Sequence, residues 1–443
     1  MVLDRRALIV ALSAFLPLAA KAAPLTLTGA TLPGTALGLV PDSGADMTAK
    51  LADAARSAVV RGAVLTLEPG SYTVSGLSLP SGTRLAGHGA VLGAPQGGPV
   101  IDTTGGKEIL LDGLTIRGGG GSMRDGKGLL AFSEVEDLLV SNCLIEASAG
   151  AGLALNECSG HIENCEISHC RDAAIFAVDC RELAIEDNEI RQCDDNGILV
   201  WQSEKRHDGA RITGNRISRI GAVPGGSGQF GNGINIYRAG GVLISGNHIS
   251  DCAFTAVRVN GGDNCQIIGN NCARMGEVAL YVEFAFEGAV VANNIVDTAG
   301  MGISVTNFGN AGGRLAVVSG NLVRNLFTPA YEEARGVGIG VEADTAVTGN
   351  VVENAALFGI VAGWGAAMRD ITINGNIVRG SPVGIAVSVS PGAGHAAITG
   401  NRIEGADKSA IQAMDHNDAV GDDMTRPGVT IDPRLTVSGN SAG

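Results

Sequence analysis

Aliphatic residues recur along most of this chain in two short patterns. The first is aliphatic-x-Gly-Asn-x-aliphatic, as in Ile212-Thr213-Gly214-Asn215-Arg216-Ile217. The second is a small residue followed by aliphatic-x-aliphatic, as in Gly197-Ile198-Leu199-Val200. Strand-forming residues with period-two alternation dominate these repeats, which predicts short β-strands. In the second pattern the two aliphatic residues face a core while the middle residue faces outward.

One asparagine marks each copy of the first pattern. We place it at Asn188, Asn215, Asn247, Asn270, Asn293, Asn321, Asn350, Asn376, Asn401 and Asn440. A period of roughly 20–30 residues is typical of a solenoid. Asparagine tolerates left-handed backbone angles at a bend, and its amide can pair with a copy in the next coil. The asparagines therefore predict a structural ladder and not a set of active sites.

The strand patterns predict an all-β chain, a right-handed single-stranded parallel β-helix. A leucine-rich repeat has a similar period but needs several leucines in each unit, which these repeats lack. Residues 46–61 predict a short amphipathic helix with Leu51, Ala55 and Val59 on one side. We expect it to cap the solenoid end, within residues 24–110, which form the N-terminal cap and first coils and precede the β-helix repeats of 111–443.

The cap also carries Pro69-Gly70-Ser71-Tyr72 and Leu85-Ala86-Gly87-His88-Gly89. This order of helix, apolar strand and Gly-rich turns resembles the start of pectate-lyase-like β-helix proteins. That superfamily includes polygalacturonases, polysaccharide lyases, alginate epimerases and phage tailspikes. With the Gly-Asn repeats, the chain is most similar to twin-arginine-translocated repeat proteins of unassigned activity. The resemblance implies the fold and points to polysaccharides, without naming a reaction.

Residues 1–23 predict an export signal. Arg5 and Arg6 precede an apolar stretch over residues 7–20 that is too short to span a bilayer. The arginine pair resembles a twin-arginine signal, which implies the twin-arginine translocase as a partner, and a Sec signal is the alternative. No later segment predicts a membrane span, so we expect a periplasmic or secreted protein.

Composition narrows the possible classes of partner further. The formal net charge is −14 and aromatic residues make up 4% of the 443 residues. A nucleic-acid binder needs a basic surface, so that class of partner is excluded. The nine cysteines follow the repeat, and we expect free, buried side chains stacked on successive coils.

Candidate ligand-binding residues follow from the repeat register. Outward positions on four successive coils form one column of Asn235, Arg258, Tyr281 and Ser304 and a second of Tyr237, Asn260, Glu283 and Thr306. Trp201, Arg238 and Phe284 flank them. Aromatic and hydrogen-bonding groups on a long sheet suit an extended sugar chain, so we expect an exposed polysaccharide groove here. The alternative is a solvated face with incidental aromatics.

Candidate catalytic residues are Arg258, Tyr281 and Glu283 in that groove, together with Asp194 and Asp195. Arg258 could neutralise an acidic sugar, and Tyr281 or Glu283 could move a proton. The two aspartates partly resemble the acidic pair of the polygalacturonases. A plain acidic turn is the alternative for them, and a Ca²⁺ site is a third interpretation. No other metal or cofactor is predicted.

The sequence leaves the activity undecided. The leading hypothesis is an exported protein that binds or processes an extracellular or envelope polysaccharide, as a lyase or glycoside hydrolase if it is an enzyme. The alternative is a non-catalytic structural or glycan-binding scaffold of the periplasm.

Overall fold

Three parallel β-sheets wind through the chain as a solenoid. The computed structural model describes residues 29–307, 312–328 and 336–443, so the predicted export signal lies outside the described residues. Most coils give one strand to each sheet, and each inner strand pairs with its counterparts one coil before and one coil after. The predicted parallel β-helix is confirmed.

The strand bounds follow, sheet by sheet, within the described residues. Sheet A has 16 strands: Thr31–Pro33, Val64–Thr66, Arg84–Ala86, Leu110–Asp112, Leu138–Ser141, Gly160–Glu163, Ala184–Glu186, Arg211–Thr213, Leu243–Ser245, Cys265–Ile268, Glu287–Ala292, Arg314–Ser319, Ala343–Thr348, Arg369–Asn374, Ala396–Thr399 and Leu435–Ser438. Sheet B has 15: Gly70–Thr73, Ala90–Ala94, Thr115–Gly118, Leu144–Glu146, Glu166–Ser168, Glu189–Cys193, Arg216–Ile220, His248–Cys252, Asn271–Ala273, Ile295–Ala299, Leu322–Leu326, Val351–Ala355, Ile377–Arg379, Arg402–Glu404 and Ser441–Ala442. Sheet C has 14: Ile101–Lys107, Gly128–Glu136, Ala151–Asn156, Ile175–Val178, Asn196–His207, Asn232–Gly240, Val257–Asn260, Val278–Glu283, Met301–Val305, Val337–Val341, Phe358–Ala362, Val383–Ser388, Ser409–Asp415 and the antiparallel Asp418–Val420.

The core is a stack of aliphatic layers. In each sheet C strand the two aliphatics of the repeat point inward, as Ile198 and Val200 do at 0% and 1% exposure. Glycine or alanine precedes them because the next coil passes too close for a larger group: a Cβ on Gly197 would lie 2.4 Å from the carbonyl oxygen of Gly233. The inward and outward assignment read from the repeat is therefore confirmed for the aliphatic positions.

The asparagine ladder runs along the corner between sheets A and B. Nδ2 of Asn247 donates to Oδ1 of Asn270 at 2.9 Å and to the carbonyl oxygen of Ile212 at 2.9 Å. Oδ1 of Asn247 accepts from the backbone N–H of Asn215 at 2.9 Å. The ladder asparagines from Asn188 to Asn401 are buried and Asn440 at the end is half-buried, and each amide is bonded along the stack, as predicted.

Two details of the ladder differ from the prediction. The ladder residue in its coil is Asn294 and not Asn293, since Nδ2 of Asn294 donates to Oδ1 of Asn321 at 3.0 Å. Asn293 takes the preceding position, where φ is +56°. The left-handed angle at the bend belongs to this preceding residue, which is glycine in most coils, so the ladder asparagine serves for hydrogen bonding alone.

All nine cysteines are free and buried, as expected. Cys158 and Cys180 stack on adjacent coils, with the backbone N–H of Cys158 donating to Sγ of Cys180 at 3.4 Å. They fill the core as small apolar groups.

The N-terminal end of the core is covered by helix Thr48–Val60. Its buried residues are Leu51, Ala54, Ala55 and Ala58, which join the solenoid core, whereas Val59 is half-buried and lies outside that core. Two short 3-10 helices, Gly34–Leu37 and Gly365–Ala367, complete the described helices. Among the described residues, no helix combines the length and apolar character that crossing a bilayer requires.

Candidate functional site on the outer face of sheet C

The outer face of sheet C carries both predicted columns in the predicted register. Asn235 pairs with Arg258, Arg258 with Tyr281, and Tyr281 with Ser304 on successive strands. Trp201, Tyr237, Asn260 and Glu283 stand in one row two residues further on. The repeat spacing alone was enough to bring these side chains together.

The predicted exposure of the first column is wrong. Asn235 and Tyr281 are 5% exposed, Arg258 is 8% and Ser304 is 3%. In the second column Glu283 is 1% exposed. These side chains point away from the core but lie under other parts of the chain, so they form a second, polar interior outside the sheet and not an open groove.

A glycine-rich loop, residues 221–231, provides part of that cover, and we call it the covering loop. Nδ2 of Asn235 donates to the carbonyl oxygens of Gly228 and Gln229 at 3.4 and 3.2 Å. Oγ of Ser227 donates to Oε2 of the buried Glu277 at 2.6 Å. The loop is an insertion between sheets B and C, and its small residues let its backbone lie directly over the strand side chains.

Under this cover lies a bidentate ion pair. Nε and Nη2 of Arg258 donate to the two carboxylate oxygens of Glu283 at 2.6 and 2.9 Å, and Nδ2 of Asn260 donates to the same carboxylate at 3.0 Å. The guanidinium carbon lies 4.7 Å from the ring centre of Tyr281. Burial raises the pKa of Glu283, and the hydrogen bond and charge of Arg258 oppose that rise. Within the described residues, Nη1 of Arg258 has no hydrogen-bond partner.

On the N-terminal side of the pair, the same face presents half-buried aromatic rings on three successive coils. We call Phe176, Trp201 and Tyr237 the aromatic platform. Ring centres of Phe176 and Trp201 are 6.3 Å apart, and those of Trp201 and Tyr237 are 5.1 Å apart at an angle of 75°. The exposed Arg238 lies over Tyr237, with its guanidinium carbon 4.9 Å from the ring centre.

A cavity of about 240 Å³ adjoins the platform. Phe176 forms one wall, and Lys127, Ser133 and Asn156 add polar groups to its lining. Nζ of Lys127 is 2.9 Å from Oδ1 of Asp102, so its charge is partly matched. Aromatic rings beside hydroxyl, amide and ammonium groups form a favourable binding environment for a sugar ring.

The acidic turn lies at the edge of this face. The backbone N–H groups of Val223 and Gly231 donate to the carbonyl oxygens of Asp194 and Asp195, at 2.9 and 2.7 Å, which ties the turn to the covering loop. Burial, followed by the charge of Asp172, raises the pKa of Asp195 to about 7. Nδ2 of Asn196 donates to the Asp195 carboxylate at 2.6 Å. Asp195 therefore has the pKa of a group that can give or take a proton at neutral pH.

Known families match parts of this chain. The family model described as "Periplasmic copper-binding protein (NosD)" matches residues 104–274, and the one described as "Right handed beta helix region" matches residues 204–378. These matches agree with the three-sheet solenoid. The chain belongs to the parallel β-helix superfamily. No curated protein sequence shows significant similarity to it.

Solved structures share the fold of this β-helix. The N-terminal fragment of gene product 12 of bacteriophage Phi29 aligns with a TM-score of 0.53 and 15% identity, over 93% of this chain and 71% of that one. The catalytic unit of a GH87 α-1,3-glucanase from Streptomyces thermodiastaticus aligns with a TM-score of 0.50 and 14% identity, over 93% of this chain and 68% of that one. At such identities the likeness shows the fold alone.

The β-helix brings most of the predicted residues to one face, but some of them are exposed and others are buried. Trp201, Tyr237, Arg238 and the 39% exposed Phe284 reach the surface, whereas the ion pair lies beneath the cover. Phe176 was missed in the sequence, although it is the middle residue of Ala174-Ile175-Phe176-Ala177, a copy of the strand pattern. The buried Glu277 and the half-buried Asp172 were also missed, because nothing in their local sequence marks either of them as part of the site.

Proposed function

We propose that this β-helix binds an extended polysaccharide along the outer face of sheet C. The observation that carries the proposal is the aromatic platform on three consecutive coils next to a polar-lined cavity. Adjacent coils lie about 4.8 Å apart, close to the length of one sugar unit, so a chain lying along the rod would pass successive rings. Aromatic rings stack on the apolar faces of sugars while polar neighbours bond their hydroxyl groups.

In this proposal the exposed and the buried residues have different roles. Trp201, Tyr237 and Arg238 touch the sugar. Asn235 holds the covering loop in place, and the buried Arg258–Glu283 pair, with Asn260, stabilises the strands beneath it. Tyr281 packs against the Arg258 guanidinium. The sequence-based assignment of Arg258, Tyr281 and Glu283 as catalytic requires the covering loop to move, and it stays a prediction.

Binding can be tested with soluble polymers of two classes. We would titrate the full mature chain with uronates (alginate and polygalacturonate) and with neutral α-1,3-glucan fragments. Trp201→Ala and Tyr237→Ala are each expected to weaken binding at least about fivefold, which corresponds to about 1 kcal/mol. Trp364→Ala is the matched control, since Trp364 is 42% exposed but contacts His416 near the C-terminal end of the rod. Normal binding by Trp201→Ala, or no binding of any polymer by the unaltered chain, would overturn the proposal.

Cleavage of the bound polymer is a second candidate, favoured by Asp195. Asp172 and Asp195 each lie three residues before a paired strand residue, Ile175 and Ile198, so they stand one coil apart at the same position. Two neighbouring carboxyl groups, of which one holds a proton near pH 7, are what glycoside hydrolysis uses. Asp195→Asn should lower the release of reducing ends more than about a hundredfold while binding changes less than about twofold. Full activity in this variant would contradict a catalytic Asp195.

The cellular setting is part of the proposal. We place the mature protein in the periplasm or outside the cell, after export through the twin-arginine translocase. The NosD description, which names a periplasmic family, supports this placement. Changing Arg5 and Arg6 to Lys should leave the precursor in the cytoplasm if that route is used, and continued export would favour a Sec signal.

A further inference from the structure

A trough runs along the outer face of sheet B, on a different side of the solenoid from the aromatic platform. Three small side chains that pair in register on successive strands form its floor: Ser218, Ser250 and Ala273. Three longer side chains, two residues earlier on the same strands, form one wall: Arg216, His248 and Asn271. Residues two apart on a strand point to the same side, so floor and wall together border one cavity of about 300 Å³.

Two exposed arginines at this trough have no acidic partner. Glu189 is the strand neighbour of Arg216, but its Oε1 lies 3.8 Å from Nε of Arg191. Arg219 directly follows Ser218 and lies at the turn that ends the strand, where its φ is +55°. Within the described part of the chain, neither Arg216 nor Arg219 forms an ion pair with a carboxylate. Their charges are therefore available to a bound anion.

Unpaired arginines are unusual on this sheet. Acidic residues outnumber basic ones by 45 to 31 in the chain, so an exposed arginine is expected to meet a carboxylate. Other outward arginines of sheet B do so, in the pairs Arg191–Glu166, Arg324–Asp297 and Arg379–Glu404. A cleft that keeps unpaired positive charge in an acidic protein attracts anions to that place.

We propose that this trough binds a phosphate group. A guanidinium group can donate two parallel hydrogen bonds to a phosphate, and imidazole, amide and hydroxyl groups can donate further ones to its remaining oxygens. Adjacent strands lie about 4.8 Å apart, so Arg216 and His248 can contact one phosphate from neighbouring coils. The cavity has the volume of a small-molecule site, which leaves space beside Asn271 for a sugar that carries the phosphate.

The test uses the full chain in a low-salt buffer without phosphate. Calorimetric titrations with inorganic phosphate and with glucose 1-phosphate should each show one site, and glucose should not bind. Tighter binding of glucose 1-phosphate would identify a phosphate ester as the ligand, and equal binding would identify free phosphate. Arg216→Ala should weaken binding at least about tenfold, because the lost hydrogen bonds join two charged groups. His248→Ala should weaken it at least about threefold.

Arg402→Ala is the matched control. Arg402 lies in the same outward column of sheet B near the C-terminal end of the rod, and its Nε donates to Oε1 of Glu404 at 2.6 Å. This variant should bind phosphate like the unaltered chain, and circular dichroism should show an intact fold in all the variants. Added NaCl should weaken binding, since it screens the charges of an exposed site.

Three results would overturn the proposal. The unaltered chain would bind neither phosphate compound, Arg216→Ala would bind them as well as Arg402→Ala does, or glucuronate would bind as tightly as glucose 1-phosphate. The last comparison is decisive because a phosphate monoester carries nearly twice the charge of a carboxylate at neutral pH. Trp201→Ala is expected to leave phosphate binding unchanged, so this proposal and polysaccharide binding on sheet C can fail separately.

Discussion

At the scale of single residues, the ladder asparagines and Asp195 show how position decides the role of a side chain. Asn270 and Asn271 are sequence neighbours, yet Asn270 is 1% exposed with its amide bonded along the stack, while Asn271 is exposed in the sheet B strand. Nδ2 of Asn270 donates to the carbonyl oxygen of Ile244 and to Oδ1 of Asn294, each at 3.0 Å. The first side chain is structural and the second is not.

This difference predicts unequal costs of substitution. Asn270→Ala removes one partner from groups that stay buried, and each such group costs about 1–3 kcal/mol. We expect a clear fall in the midpoint of urea denaturation, whereas Asn271→Ala should change the free energy of unfolding by less than about 0.5 kcal/mol. Equal midpoints for the two variants would show that the ladder does not stabilise the coils.

Asp195 predicts a pH dependence. Its pKa in the folded chain, about 7, is above the ordinary value of 3.8. The folded state therefore keeps this proton where the unfolded state has lost it, so the stabilisation is complete below about pH 4 and is lost as the pH rises through 7. Asp195→Asn should reduce the fall in urea midpoint between pH 4 and pH 7.5. Asp194→Asn is the control in the same turn, and an unchanged slope in Asp195→Asn would contradict the assignment.

The sequence predicted residue roles where the repeat fixed them and failed where tertiary packing did. Spacing alone assigned Ile198 and Val200 to the core. The choice between Asn293 and Asn294 could have been made as well, because the ladder residue stands three after an inward aliphatic, here Val291. The depth of Arg258 could not be predicted, since it depends on a covering loop that follows no repeat.

At the scale of elements, strands and insertions differ in how they are held. Each inner strand of sheet C is bonded along both edges by neighbouring coils. The covering loop is held instead by a few backbone hydrogen bonds, by Ser227, and by the side chains of Asn196, Asn232 and Asn235, which donate to its carbonyl oxygens. The free energy of local opening is lowest in segments that are held by few such contacts. The covering loop is therefore the element most able to open over the Arg258–Glu283 pair.

Asn235→Ala tests this arrangement. The substitution removes the two hydrogen bonds that the Asn235 side chain donates to the loop, each worth about 1 kcal/mol. Amide hydrogen exchange in residues 221–231 should therefore become about fivefold faster or more. Exchange at Ile234 and Ile236, inside the strand, should change little. The control is Asn260→Ala, which alters the same face without touching the loop. Unchanged exchange in the loop would mean that Asn235 does not hold it.

At the scale of the whole molecule, the repeat forms the rod, and the candidate functions lie on its outer surfaces. A solenoid contacts only its neighbouring coils, so each face can carry its own chemistry without disturbing the core. The aromatic platform on sheet C is such an addition. The period of the repeat was enough to predict the fold, whereas the chemistry of the outer face depends on a few side chains that the period does not mark.

Polysaccharide binding along sheet C is tested most directly by hydrogen–deuterium exchange of the full chain with and without saturating alginate, polygalacturonate or α-1,3-glucan fragments. We expect that at least one polymer protects strands Ile175–Val178, Asn196–His207 and Asn232–Gly240 of sheet C, and that Trp201→Ala loses this protection. Protection confined to sheet A or sheet B, or no protection by any of the three polymers, would contradict it.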